Sequence, residues 1–310
     1  MAPVPTSGSR AAGIALRLLA TFLFAVMTLF VRLASAEAPV GQVVFHRAAW
    51  SLIPIVLYLM LRGQFPAGLR TANPWGHVRR NGYSAAGTFL SFVSIAHLPL
   101  AFAAALGFLA PLLSVPAGSL ALGERPGLRV TLAAVAGFIG VLVMLAPAIQ
   151  GPAPDWGMLI GVTAGLGTAL VTVAAKVEIK RLTATEPPGT IAFYFALLVA
   201  AGGVATWPFG WAEVSPAGLA WLIGAGLTGG LAHIAMTEAV ARAPISTLAP
   251  FEYTTLLWAM AFDIAVFALL PGVTGLAGCA IIVAAAALAA FGDRIPPRRA
   301  LAPASTPPAA

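Results

Sequence analysis

The residues best placed to do chemistry lie in the stretch 243–258, which reads A-P-I-S-T-L-A-P-F-E-Y-T-T-L-L-W. Glu252 and Tyr253 stand side by side about two turns into an apolar helix. A carboxyl at that depth is costly, so it faces a partner or a wet cavity. There it can exchange a proton or pair with a cationic substrate. Pro250 supplies no backbone donor and is expected to loosen the turn before it. Asp263 follows Glu252 by about three turns, which returns it to nearly the same helix face. Its alternative role is an ion pair with Arg32 or Arg47.

His233 is expected at mid-depth in the preceding span, either packed or facing Glu252 as a polar or proton site. Arg47 opens the second span. It either snorkels to the interface or attracts an anionic substrate. Phe108, Tyr253 and Trp258 are aromatic positions that pack or, beside one carboxylate, suit a planar or cationic metabolite. Glu124, Pro111 and Pro250 read as structural or gating residues, with Glu124 as a helix cap or gate. The four histidines, at 46, 77, 97 and 233, show no ligand spacing, and Cys279 is the one cysteine. No metal site, cofactor, catalytic set or internal disulfide is expected. The phosphate-binding pattern G-x-x-x-x-G-K-[ST] is absent from the sequence.

These residues must be positioned by a membrane-embedded scaffold. Hydrophobic residues make up 60% of the 310, and charged ones only 9%, far below the ~25% of a soluble domain. Spans of about 20 apolar residues point to helices, because barrel strands would alternate polar and apolar. The fold class is therefore all-α integral membrane. Ten transmembrane helices are expected, at 13–34, 42–61, 82–98, 101–122, 130–146, 157–175, 190–207, 217–239, 245–270 and 273–291. Residues 1–12 and 292–310 are expected to be disordered. Ala34-Ser35-Ala36 resembles a signal-peptide cleavage site, but the duplication described next needs the first span.

The net charge of +7 reflects topology rather than nucleic acid. With ten spans, all Lys and Arg except Arg32 and Arg47 fall on one side, so both termini are cytoplasmic and the chain sits in the inner membrane. Pro99 and Pro126 recur 145 positions later as Pro244 and Pro271, Phe108 as Tyr253, and Gly107 stands where Glu252 stands. Residues 13–147 and 155–291 thus read as two five-helix repeats. An odd number of spans per repeat inverts the second copy, an arrangement typical of transporters with a midplane site. Gly161/Gly165 and Gly226/Gly230 mark close helix packing, with a moving contact as the lesser reading.

Leu122-Gly123-Glu124-Arg125-Pro126 closes the fourth span, and Ala249-Pro250-Phe251-Glu252-Tyr253 lies in the ninth. With ten spans in a five-plus-five duplication, this resembles the drug/metabolite transporter superfamily in its EamA-type branch. The second copy departs from it, since Phe267-Ala268-Leu269-Leu270-Pro271 lacks the repeated Glu. The resemblance implies a secondary transporter of a small organic metabolite, such as a vitamin, nucleotide-like metabolite, amino acid or drug, working by alternating access. It also implies a cavity lined by spans 4 and 9 with spans 1, 3, 6 and 8. Expected partners are that substrate and the lipid bilayer, not nucleic acid, with a homodimer left open. The rival readings are a membrane-embedded enzyme acting on lipid, which would need clustered acids or histidines in its loops, and a structural membrane partner.

Overall fold

The computed structural model describes residues 7–98, 100–149, 156–268, 270 and 272–291. The described residues form twelve α-helices and two short 3-10 turns, with no strand among them. The helices are α1 (Ser7–Ala34), α2 (Val40–Leu61), α3 (Pro74–His97), α4 (Leu100–Gly107), α5 (Leu109–Leu122), α6 (Leu128–Ile149), α7 (Trp156–Leu182), α8 (Pro188–Val204), α9 (Pro216–Arg242), α10 (Ile245–Glu252), α11 (Thr254–Phe267) and α12 (Val273–Phe291). Among the described residues, eight helical segments are long and apolar enough to cross a membrane. Apolar side chains such as Leu120 and Leu170 face outward, as lipid requires. The chain is a multi-pass, all-helical membrane protein. Two expected spans fall outside those eight. One is α3, which carries His77, Arg79, Arg80 and Asn81; the other is the α10–α11 pair, which carries Glu252 and Asp263.

Several boundaries differ from the sequence expectation, each for a local reason. α1 starts at Ser7, so residues 7–12 are helical; residues 1–6 and 292–310 lie outside the described residues. Its first turn is tied down by Arg10, which donates to Thr247 Oγ1 at 2.8 Å. α3 starts at Pro74 rather than 82. Asn73 caps it by accepting from Gly76 N–H at 2.9 Å, and Pro74 suits the first helical position. α7 runs past 175 to Leu182 because its lysines find acceptors. Lys180 donates to the Val240 and Ala243 carbonyls at 2.6 and 3.1 Å, satisfying the end of α9.

The helices pack in pairs: α1 on α9, α3 on α7, α6 on α12, and α2 on both α8 and α9. Small residues permit the close approaches. A Cβ on Gly230 would lie 2.6 Å from the Ser51 carbonyl, and one on Gly165 2.6 Å from Leu106. The Gly226 and Gly161 faces are equally tight, against Trp50 and Leu98. Long-range contacts define two ends of the bundle. One end joins the start of α1 to the start of α10, and the end of α2 to the end of α9, through Arg10–Thr247 and Arg62–Glu238. The other joins the end of α1 to α11 through Arg32–Asp263, and the start of α2 to the 206–215 segment through Gln42–Ala212.

Phe108 interrupts α4–α5, and Tyr253 interrupts α10–α11. These are the same position in the 145-residue register. After Phe108 the helix restarts with Pro111 in its first turn, where a missing N–H costs nothing. Pro250 lies inside α10, and the interruption comes after it rather than before. At the interruption Thr254 Oγ1 donates to the Phe251 carbonyl at 2.7 Å. The register prolines Pro99 and Pro271 lie outside the described residues.

Candidate functional site

Glu252 ends α10, so the interruption sets its carboxylate where α10 meets α1, α5 and α7. Arg17 of α1 places Nη2 2.6 Å from one carboxylate oxygen. Lys176 of α7 places Nζ 2.5 Å from the other. Lys176 also reaches Ser114 Oγ of α5 at 3.4 Å. The three charged side chains are only 10–17% exposed, so these pairs are shielded from water. Two cations share one carboxylate, leaving the cluster with one excess positive charge. Removing either partner of a buried pair uncovers a charge and is far costlier than the pair's net worth.

The cluster forms one wall of a cavity of about 320 Å³. Thr21 of α1, Thr172 of α7, and Gly107, Phe108 and Pro111 at the α4–α5 interruption also line it. A Cβ on Gly107 would meet open space, so the glycine that stands in register with Glu252 leaves room within this cavity. The volume lies in the range that holds small organic ligands, and a few polar groups on apolar walls fit that use.

The structure brings only some of the expected site residues together. Phe108, Pro111 and Glu252 line the cavity. Glu252 is not a solitary acid awaiting a cation, because Arg17 and Lys176 already occupy both its oxygens. Tyr253 turns away and is fully buried, packed on Gly137 and beside Val141 and Ile282. Trp258 donates from Nε1 to Thr21 Oγ1 at 3.3 Å and meets Phe22 edge-on, behind the cavity wall. Asp263 pairs with Arg32 at 3.1 Å near the far end of α11 and borders a separate cavity of about 190 Å³.

His233 does not face Glu252. Its ring lies between Phe24 and Phe195, with centroids 5.1 and 4.4 Å away, on the side of the bundle that holds Arg47. Glu124 is a cap from outside the helix. It accepts from the Ile245 and Ser246 N–H groups at 2.9 and 3.0 Å, joining the end of α5 to the start of α10. Pro250 is buried within α10.

The sequence places Arg17, Lys176 and Arg80 among the cytoplasmic-side charges, yet all three are turned into the bundle. One signal existed for Lys176. From 176 to 182 the sequence K-V-E-I-K-R-L holds no helix breaker, and Pro187-Pro188 is the first strong stop. For Arg17 the signal is weaker, a single charge inside a run that remains apolar on both sides.

Comparison with known proteins agrees with this geometry. Residues 11–146 match the EamA-like transporter family. A pseudopaline exporter of Pseudomonas aeruginosa (strain UCBPP-PA14) is 28% identical over 277 residues, spanning 88% of this chain and 94% of that protein. A riboflavin transporter of Rhizobium johnstonii is 32% identical over 188 residues, spanning 60% of each chain. A solved crystal structure superposes with a TM-score of 0.76 at 20% identity, covering 90% of this chain and 96% of that one, which establishes a shared fold. Over residues 11–146 the chain is thus similar to the EamA-like transporter family, and it is a membrane transporter.

Proposed function

We propose that this transporter moves a small organic metabolite by alternating access, through the cavity beside Glu252. The observation that carries the reading is the buried Arg17–Glu252–Lys176 cluster at a helix interruption, open to a cavity of ligand size. Ion clusters inside a membrane bundle mark substrate pathways. Relatives named for pseudopaline and riboflavin support an organic metabolite as the cargo.

The architecture we propose is ten crossings in two inverted repeats, 13–147 and 155–291. The eight apolar spans are joined by α3 and by the interrupted pair α10–α11. The match between the Phe108 and Tyr253 interruptions supports the repeat. So does the packing: a shift of one repeat turns the α1–α9 pair into α7–α3, and both pairs are closely packed.

The shift does not reproduce every pair. α5 packs on α10 under the Glu124 cap, and α2 packs on α9. Their counterparts are α11 with α4 and α8 with α3. Among the described residues α4 and α11 are not packed together, and α3 meets α8 only lightly, near His77 and Tyr194. This asymmetry supports the reading of a transporter closed at one end and open at the other, in which exchanging the two sets of contacts reverses the access. Arg62, Arg79, Arg181 and Arg242 gather at the closed end, which supports placing that end and both termini in the cytoplasm of an inner-membrane protein.

Flux of a metabolite panel in proteoliposomes tests the reading. Saturable counterflow by the wild-type chain, lost on blocking the cavity with Gly107→Trp, is the expected result. Flux that is absent for the whole panel, or unchanged by the blocked variant, defeats it.

A further inference from the structure

We infer that the bundle holds a second polar pole, built on Arg80 and Arg47, that binds a carboxylate or phosphate group of an organic anion. The inference rests on the transport reading above and adds to it the charge of the cargo. Arg80 is only 2% exposed, and its guanidinium lies over the Phe195 ring at 3.8 Å from the centroid. Its Nε and Nη1 groups have no hydrogen-bond partner. Next to it in sequence, the buried Asn81 Oδ1 is also without one. Phe195, Asn81, Ser84 and Arg47 line a cavity of about 540 Å³ between α2, α3 and α8. Arg47 offers Nη1 only to the Met27 sulfur at 3.7 Å, a weak acceptor.

No carboxylate serves either guanidinium among the described residues. Glu178 is held by Arg79, Glu186 by His77, Glu238 by Arg62 and Arg242, and Glu252 by Arg17 and Lys176. Glu124 and Glu37 accept backbone N–H groups at the starts of α10 and α9. Three cations (Arg17, Lys176 and Arg47) line the two cavities against the single carboxylate of Glu252, and Arg80 lies behind the Phe195 wall of the second. An uncompensated guanidinium inside a membrane bundle is strongly disfavoured. A bound anion supplies the missing charge. The planar fork of Arg matches a carboxylate or phosphate, presenting two parallel donors to two oxygens. The remaining wall is apolar, with Phe89, Leu198 and Val199, and suits a hydrophobic or aromatic body attached to the anionic head.

An anionic lipid headgroup carries the same chemistry, and Phe89 and Leu198 face outward beside this cavity. The inference commits to a soluble organic anion. The test uses the full chain in phosphatidylcholine nanodiscs, melted with citrate, inorganic phosphate or neutral glycerol at constant ionic strength. Citrate and phosphate are expected to raise the melting temperature, and glycerol is not. Arg80→Gln and Arg47→Gln should each weaken the anion effect about tenfold or more, with Arg80→Lys intermediate. Without anion, Arg80→Gln should melt no lower than wild type, because it removes an unpaired charge.

Equal anion effects in wild type and both Gln variants overturn the inference. So does an anion-free Arg80→Gln protein that melts well below wild type, since that marks a purely structural arginine. Stabilisation seen only when phosphatidylglycerol replaces phosphatidylcholine assigns the pole to lipid and overturns the soluble cargo. Proteoliposome counterflow of riboflavin separates the two readings. Riboflavin flux with no anion effect defeats the anion pole alone, whereas absence of flux for any solute defeats the transport reading itself.

Discussion

Gly123 and Ala268, 145 positions apart, both adopt the left-handed backbone conformation, with φ of 65° and 54°. Each ends the second half of an interrupted helix, α5 or α11. Glycine enters that region freely, whereas an alanine Cβ crowds the carbonyl oxygen at a cost of about 1–2 kcal/mol. The second copy therefore keeps the turn and loses the residue that suits it.

Ala268→Gly should stabilise the protein by about 0.5–1 kcal/mol, the strain relief being partly offset by the greater freedom of glycine in the unfolded chain. Gly123→Ala should do the opposite by a similar amount. Melting both purified variants beside wild type checks the pair. Equal and unchanged melting temperatures would show that neither turn is strained.

Glu252→Gln removes the carboxylate from between Arg17 and Lys176 and leaves two buried cations side by side. A loss of about 3–5 kcal/mol is expected, enough to reduce the yield of folded protein. Adding Lys176→Met to that variant removes one of the two cations and should restore much of the stability. Expression, melting temperature and flux of the single and double variants check this. A single variant as stable as wild type would mean the cluster is not a coupled unit.

Gly230→Ala places a methyl group 2.6 Å from the Ser51 carbonyl and from Pro54, where α9 packs on α2. Backbone must shift to admit it, at about 1–3 kcal/mol. Gly82→Ala is the matched control, because a Cβ there meets nothing within 4 Å in the body of α3. It should gain up to about 1 kcal/mol of helix propensity. Opposite shifts in melting temperature are the expected outcome, and a destabilised Gly82→Ala would contradict the open space seen beside it.

Glu186 lies in the connection between α7 and α8 and clasps the start of α3. It accepts from the Thr71 hydroxyl, from the Ala72 and Asn73 N–H groups at 2.9 and 3.0 Å, and meets His77 Nε2 at 2.6 Å. Burial favours its neutral acid, but the Thr71 hydroxyl, His77 and the Asn73 N–H together hold the carboxyl below its usual range. Its contribution is fully present above the unfolded-state value of about 4.3 and is lost as pH falls through the lower folded-state value. Melting temperature should therefore drop on acidification below about pH 4. Glu186→Gln should lower it at neutral pH and flatten that acid limb; an unaltered acid limb would count against the clasp.

Much of the fold was legible in the chain because lipid imposes it locally. Apolar runs must become helices, since every backbone N–H and C=O needs an internal partner. The 145-residue register likewise pairs Phe108 with Tyr253, and both helices are interrupted there. Glu252 drew notice because a carboxylate in such a run needs a reason.

What covers that carboxylate was decided by tertiary structure alone. Arg17 and Lys176 lie 235 and 76 positions from Glu252, and their own neighbourhoods place each within a helix without fixing which way its charge turns. A long basic side chain can snorkel to the surface or turn inward, and the choice depends on which helices meet at its depth. The same holds for Arg80, whose resting place over Phe195 follows from the approach of α8 to α3. Hydropathy is a property of each segment. Charge compensation is a property of pairs of segments, and it comes into being only when the bundle closes.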